Sequence, residues 1–279
     1  MQPLEIIWLL VLLAFLFPAL QRRLLALRRL RRIQAIEKAN GSRLITLIHR
    51  QESLSFLGVP LFRFIDIEDS ERVLRAIHLT ARDVPIQMVL HTPGGLVLAS
   101  RQIAQALADH PGKVQVVVPY LAMSGGTLIA LGADEIVMDP NAVLGPVDPQ
   151  VRSGYAQYSA ASVLRALETP NPNREDATLI LGDVAGKAVE QLREFTRRML
   201  SRTLPEDRAQ RTAGLLADGR WTHDFPLGVA EARELGLPVN DRFPDEFHEL
   251  MALYPQPGRR PAVEFIPEPY DKRPEREGE

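Results

Sequence analysis

Between residues 43 and 118, short blocks of β-branched and aliphatic residues alternate with stretches of helical spacing. RLITLIHR (43–50) and FRFIDI (62–67) read as strands. DSERVLRAIHL (69–79) opens on acidic residues and repeats apolar positions at Val73, Leu74, Ile77 and Leu79, which predicts a helix. A strand PIQMVLHT (85–92), the turn Pro93-Gly94-Gly95 and a helix LVLASRQIAQALADH (96–110) follow, and Pro111-Gly112 ends that helix. This β-α-β-α rhythm predicts a mostly parallel sheet covered by helices.

The rhythm leads into KVQVVVPYLAMSGGTLIALGADEIVM (113–138), read as a strand, a tight turn and a helix. Val114, Val116, Val117 and Val118 have the composition of a buried parallel strand. Thr127 to Leu131 is an apolar segment placed as an internal helix, so Ser124 stands at a helix start. There it either caps the helix or presents its hydroxyl to a substrate, where the helix N–H groups favour an oxyanion.

After Met138, DPNAVLGPVDPQ (139–150) is too rich in proline for a regular element and is expected to line a groove as an extended stretch. Helices are expected over 159–168, 174–201, 205–217 and 227–236, followed by a proline-rich, charged tail over 255–279.

The chain begins differently. Residues 4–20, LEIIWLLVLLAFLFPAL, carry one charge and as a helix would extend about 26 Å, near the lower limit for crossing a bilayer. Arg22, Arg23, Arg28, Arg29, Arg31 and Arg32 follow at once, so a single-pass transmembrane anchor is expected at 4–20, with the rest of the chain in the cytoplasm. Leu24, Leu27, Leu30, Ile33 and Ile36 recur among those arginines, which makes 21–40 a basic amphipathic helix against the lipid bilayer or a sister chain. The globular domain is then 41–254.

Composition narrows the chemistry. The chain of 279 residues is 46% hydrophobic, enough for one substantial core. Its net charge of −2 gives no general attraction to nucleic acid, and none is expected as a partner. It has no cysteine, which removes thiolate nucleophiles, thiolate metal sites and disulfides. The six histidines are scattered, no spacing suggests a metal site, and no cofactor is implied.

Two glycine turns, each after a strand and before a helix, need a joint explanation. Parallel strands place both at one edge of the sheet, where Gly95 and Gly125 N–H groups can converge on one carbonyl oxygen beside Ser124. A phosphate cradle is the other use of such turns, but neither has the lysine-plus-hydroxyl ending of a P-loop.

At these residues the sequence resembles a known family. HTPGGLVLASRQIA (91–104), YLAMSGGTLIALGADEIVMDPNAVLGPVDPQ (120–150) and GRWTHDFPLGVAEARELGLPV (219–239) are similar to the serine dehydrogenase proteinases, relatives of signal peptide peptidase A and of Clp protease with a crotonase-like fold. The resemblance covers about residues 40–255. It implies an α/β Clp protease/crotonase-like domain and a serine peptidase with Ser124 as nucleophile and Gly95 and Gly125 as oxyanion donors. It also implies a homo-oligomer acting on a peptide or membrane-protein substrate. Signal peptide peptidase A-like enzymes use a serine–lysine dyad, and Lys187 is the lysine whose position fits; His223 is the alternative base. A peptide substrate would add as a strand to an exposed edge, with Ala142, Val143, Leu144 and Gly145 as the expected contributors. Two rivals share the fold: a crotonase-type acyl-thioester enzyme, which would not need Ser124, and a non-catalytic membrane scaffold.

Overall fold

The computed structural model describes residues 3–50 and 64–254; up to residue 22 it describes the side chains of Phe17, Leu20 and Gln21 alone. The tail at 255–279 lies outside the described residues. In chain order the elements are α1 (Pro3–Asn40), β1 (Arg43–Ile48), α2 (Ile67–His78), β2 (Ile86–His91), α3 (Val97–Ala108), β3 (Val114–Val118), β4 (Leu121–Ala122), α4 (Gly125–Ala130), β5 (Glu135–Met138), β6 (Val143–Leu144), β7 (Gln150–Ser153), β8 (Ala156–Ser159), α5 (Ala160–Glu168), α6 (Asp176–Leu200), α7 (Glu206–Ala217), α8 (Val229–Glu234), β9 (Val239–Asn240) and α9 (Asp245–Ala252).

Five strands form one parallel sheet in the order β1-β2-β3-β5-β9. Its strands are covered on both faces, which is why they read as near-continuous apolar runs. Neighbouring residues point to opposite layers. Met88, Val116 and Ile136 join α2, α3, α4, α6 and α7 in the larger core, whereas Val89, Val117 and Val137 meet Ile36 of α1 and Phe247, Leu250 and Met251 of α9. Each such fully buried side chain contributes about 1.5–3 kcal/mol relative to exposure. The mostly parallel sheet with flanking helices is therefore as expected from the rhythm. Strands β5 and β9, the β7–β8 hairpin and helix α9 are additions to that expectation. In the hairpin, the two-residue turn Gly154-Tyr155 has a positive φ at Gly154 alone, as a II′ turn requires.

The expected membrane span is corrected. Among the described residues no helix is long and apolar enough to cross a membrane, so neither the single-pass anchor nor the cytoplasmic placement drawn from it stands. Residues 4–20 and 21–40 are parts of one helix, α1, and its last turns are committed to the protein rather than to a lipid surface. Ile36 is 1% exposed in the core layer against α9. Arg29 Nε donates to the Leu253 carbonyl, its guanidinium lies 4.4 Å from the Tyr254 ring centre, and Arg32 pairs with Glu249. Together with Arg50, which donates to the Met251 and Tyr254 carbonyls, these arginines close the C-terminal end of α9, where cations are favoured.

Beyond the C-terminal ends of the main strands, short pairings continue the framework. Ile65 pairs with Gly95, Thr92 with Ala122, β4 with β6, and Leu144 with Leu227. The last of these alters the expectation for residues 142–145. Leu144 N–H and C=O are both taken by Leu227, Val143 N–H goes to the Tyr120 carbonyl, and Gly145 N–H goes to Thr127 Oγ1. That stretch is not an open edge for an added strand; it is an interior one, with Ala142 and Leu144 buried.

Candidate active site

Ser124 lies between β4 and α4 with φ +51° and ψ −114°, and it is the one non-glycine residue at positive φ among the described residues. A side chain in that region strains the backbone by about 1–3 kcal/mol. The same sharp strand-to-helix turn is what exposes the serine of a nucleophile elbow. The simple cap is set aside, because the Ser124 side chain makes no capping hydrogen bond.

The two glycine turns meet here. The position a Cβ would take on Gly94 lies 2.9 Å from Ser124 Cβ and 3.4 Å from Gly125 N, and that on Gly125 lies 3.5 Å from Gly95 N. Neither turn tolerates a larger residue easily. A Cβ on Gly95 would come within 2.3 Å of the Ile65 backbone, and one on Gly125 within 2.3 Å of Ser100 Oγ. The pairing of Gly95 with Ile65 uses the Gly94 carbonyl and the Leu96 N–H. It leaves the Gly95 N–H, like that of Gly125, without a hydrogen-bond partner among the described residues.

Ser124, Gly95 and Gly125 line a cavity of about 1070 Å³, together with His49, Asp69, Leu128, Val147, Asp148, Gln150, Leu192 and His223. His223 Nδ1 is 2.7 Å from Asp148 Oδ1. The Asp148 side chain is 1% exposed, and its other oxygen accepts from Gln150 Nε2 at 2.7 Å and Ser159 Oγ at 3.2 Å. A buried carboxylate with these donors is held in one orientation, and it fixes the proton of the histidine on Nδ1. Nε2 is then the basic nitrogen. No hydrogen bond joins Ser124 to His223 among the described residues; the two share the cavity wall.

Lys187 stands elsewhere. Its side chain is 65% exposed and its ammonium holds Asp183 at 2.5 Å. Leu192, five positions along the same α6, faces the cavity, and at 3.6 residues per turn Lys187 points about 140° away from it. A lysine base needs a buried, charge-poor setting, and this one sits in solvent beside a carboxylate. Residues 142–145 are also absent from the cavity wall, which Val147, Asp148, Pro149 and Gln150 supply instead.

His91 turns to the opposite side of its strand from Thr92. Its ring meets Tyr120 edge-on at 5.6 Å and its Nδ1 has no hydrogen-bond partner among the described residues. Burial first, then the nearby Arg50 and His49, push its pKa down to about 4. Sequence reasoning passed over Asp148 and His49. The acid lay in plain view in the proline-rich GPVDPQ stretch, but no local spacing ties it to His223. Among the described residues no group of acids and histidines is arranged to hold a metal ion.

Comparison with known proteins bears on the family of the whole chain. The chain is 50% identical over 267 residues to an uncharacterized protein of Methanocaldococcus jannaschii, covering 95% of this chain and 90% of that one. A second uncharacterized protein of the same organism is 49% identical over 264 residues, covering 94% and 91%. Among solved structures, a mutant of the 1510-N membrane-bound stomatin-specific protease aligns with a TM-score of 0.46 at 18% identity, covering 75% of this chain and 82% of that one. ClpP1 from Listeria monocytogenes aligns with a TM-score of 0.45 at 16% identity, covering 75% and 96%. The family model of the ClpP-like SDH-type serine proteinases matches residues 2–279, and the chain belongs to that family.

Proposed function

We propose that the protein is a serine peptidase that cleaves peptide bonds through an acyl-enzyme on Ser124, with His223 as general base and Asp148 as the residue that orients it. The observation that carries this reading is the strained Ser124, set beside two unengaged amides in a cavity that also holds the His223–Asp148 pair. His223 Nε2 takes the Ser124 proton as the hydroxyl attacks the substrate carbonyl. The Gly95 and Gly125 N–H groups receive the oxyanion, and His223 returns its proton to the leaving amine. Water then repeats the sequence on the ester. Lys187 has no part in this reading, since it is exposed, paired and on another face of α6.

The substrate is a peptide reaching the cavity past Leu96 and Val97, which are 52% and 43% exposed on the wall beside Gly95. We also infer self-association. Leu179, Ile180 and Val184 leave an apolar face of α6 between 48% and 65% exposed, and a second copy is the occupant this reading gives it. Light scattering on the purified protein reads that directly.

The test of the chemistry is covalent labelling with a fluorophosphonate. One adduct per chain, absent from Ser124→Ala and much slowed in His223→Ala, is expected. Equal labelling of the parent and Ser124→Ala proteins would overturn the reading.

A further inference from the structure

The site holds a second histidine that the chemistry above leaves unused. His49 follows β1, is 6% exposed, and lines the same cavity as Ser124. Both of its ring nitrogens are engaged. Nε2 lies 3.1 Å from Asp69 Oδ2, and Nδ1 lies 3.0 Å from Thr92 Oγ1. Asp69 is itself fixed, because it closes the capping box of α2 by accepting the Asp66 N–H at 3.0 Å. A carboxylate only accepts, so Nε2 carries the proton and Nδ1 accepts from the Thr92 hydroxyl.

Thr92 is where the two glycine turns are tied together. Its N–H donates to the Leu121 carbonyl, and its carbonyl accepts the Met123 N–H, next to Ser124. Its hydroxyl oxygen accepts the Gly94 N–H at 3.2 Å. With its proton committed to His49, that oxygen keeps its lone pairs for Gly94. Without His49 the same hydroxyl can turn its proton to the Gly94 carbonyl, 3.4 Å away. The Pro93–Gly94 peptide so held is followed directly by the Gly94–Gly95 peptide, whose nitrogen lies 3.5 Å from the position a Cβ on Gly125 would take.

We propose that His49 is a positioning residue that acts through Thr92 to aim the Gly95 N–H at the substrate oxyanion. The proposal rests on the peptidase reading. The line Asp69–His49–Thr92–Gly94 runs from the start of α2 to the Pro-Gly-Gly turn, and it contributes to the transition state rather than to substrate binding. Loss of one oxyanion donor costs about 10²–10³ in kcat, so a misaimed one is expected to cost about ten- to a hundred-fold.

The test measures kcat and KM for a peptide ester in the full chain and in His49→Ala, Thr92→Val, Thr92→Ser and the double variant His49→Ala/Thr92→Val. Expected are a ten- to hundred-fold loss of kcat at nearly constant KM in the first two and near-parental kcat in Thr92→Ser. The double variant is expected to be no worse than the poorer single one, because both substitutions break the same link. Should His49→Ala fail to fold, the contrast between Thr92→Val and Thr92→Ser decides alone. Parental kcat in His49→Ala or Thr92→Val, multiplying losses in the double variant, or equal loss in Thr92→Ser and Thr92→Val overturns the proposal while Ser124-dependent turnover persists. No Ser124-dependent turnover in the parent overturns both this proposal and the peptidase reading.

Discussion

Asp148 and His223 lie 75 residues apart in the chain, yet Asp148 Oδ1 and His223 Nδ1 are 2.7 Å apart. The fold makes this contact through the irregular half of the chain. Val147 N–H is fixed to the Leu216 carbonyl at the end of α7, and Leu144 to Leu227 just past His223, so the segment carrying the acid and the segment carrying the histidine are laced side by side.

The first prediction concerns the base. His223→Ala is expected to lower the acylation rate by about 10²–10⁴, the usual contribution of general acid–base catalysis. Asp148→Asn should come close to it, because an amide at that place no longer requires the proton on Nδ1. Lys187→Ala should stay within about twofold of the parent, an outcome that stopped-flow acylation of the three variants compares directly. A dead Lys187→Ala variant with intact folding would return the lysine to the mechanism.

The reason Lys187 fitted as a base in the sequence, although its side chain is 65% exposed and paired with Asp183, is a matter of helix phase. Helix α6 exposes Leu179, Ile180 and Val184 while burying Ala185, Val189 and Leu192. Apolar residues therefore occur on both faces, and the pattern does not reveal which one meets the cavity. The parallel strands were legible because blocks such as Val114–Val118 are short, β-branched and bounded by turns. Ser124 and the Gly95–Gly125 meeting followed from that rhythm. Strand β5 was hidden because its four residues follow an apolar helix with little contrast. The pairing of the β6 segment was not legible, because proline richness signals irregularity, not whether the backbone groups are already taken. Most clearly, no periodicity joins Asp148 to His223 or His49 to Thr92, since those pairs are products of the tertiary fold.

The second prediction separates two glycines that look alike in sequence. Gly125 has an ordinary φ, and the obstacle to a Cβ there is a side chain, Ser100, at 2.3 Å. Gly125→Ala should therefore lose most activity, and the added substitution Ser100→Gly should recover part of it. At Gly95 the obstacle is the Ile65 backbone, which no side-chain change removes. Gly95→Ala should stay inactive in the Ser100→Gly background. Equal recovery at both positions would mean that the clashes do not control the turns.

The third prediction is a pH dependence of stability centred on His91. Its folded pKa is lowered to about 4 from an unfolded value near 6.5, so the unfolded chain binds more protons between those values. The contribution of His91 is full above about pH 6.5 and is lost as pH falls toward 4. By pH 5 the loss is about 2 kcal/mol. Glu135 acts in a lower window. Hydrogen bonds from Lys113, Gln115 and Asn240 hold its pKa at about 2, so its stabilisation persists until pH drops below about 4.5. Urea denaturation at pH 7.5 and 5.0 should show a clear drop in the parent and a smaller one in His91→Gln. The same drop in both proteins would place the proton uptake elsewhere.

The last prediction tests what holds the acid-bearing segment against the nucleophile helix. Thr127 is fully buried one turn into α4, and its hydroxyl oxygen accepts the Gly145 N–H at 2.9 Å. The hydroxyl proton lies between the Ala122 carbonyl at 2.7 Å and the Gly145 carbonyl at 2.8 Å. One side chain thus ties α4 both to β4 before Ser124 and to the strand that leads through Val147 to Asp148. Thr127→Val keeps the shape but leaves the Gly145 N–H buried without an acceptor, a loss of about 1–3 kcal/mol. Because the freed segment carries Asp148, activity at low denaturant should fall as well, whereas Thr127→Ser keeps the hydroxyl and should retain most of both. Unfolding midpoints and kcat for the two variants provide the comparison. A Thr127→Val protein as stable and as active as the parent would show that the residues from Gly145 to Asp148 are held by their backbone pairing to Leu227 and Leu216 alone.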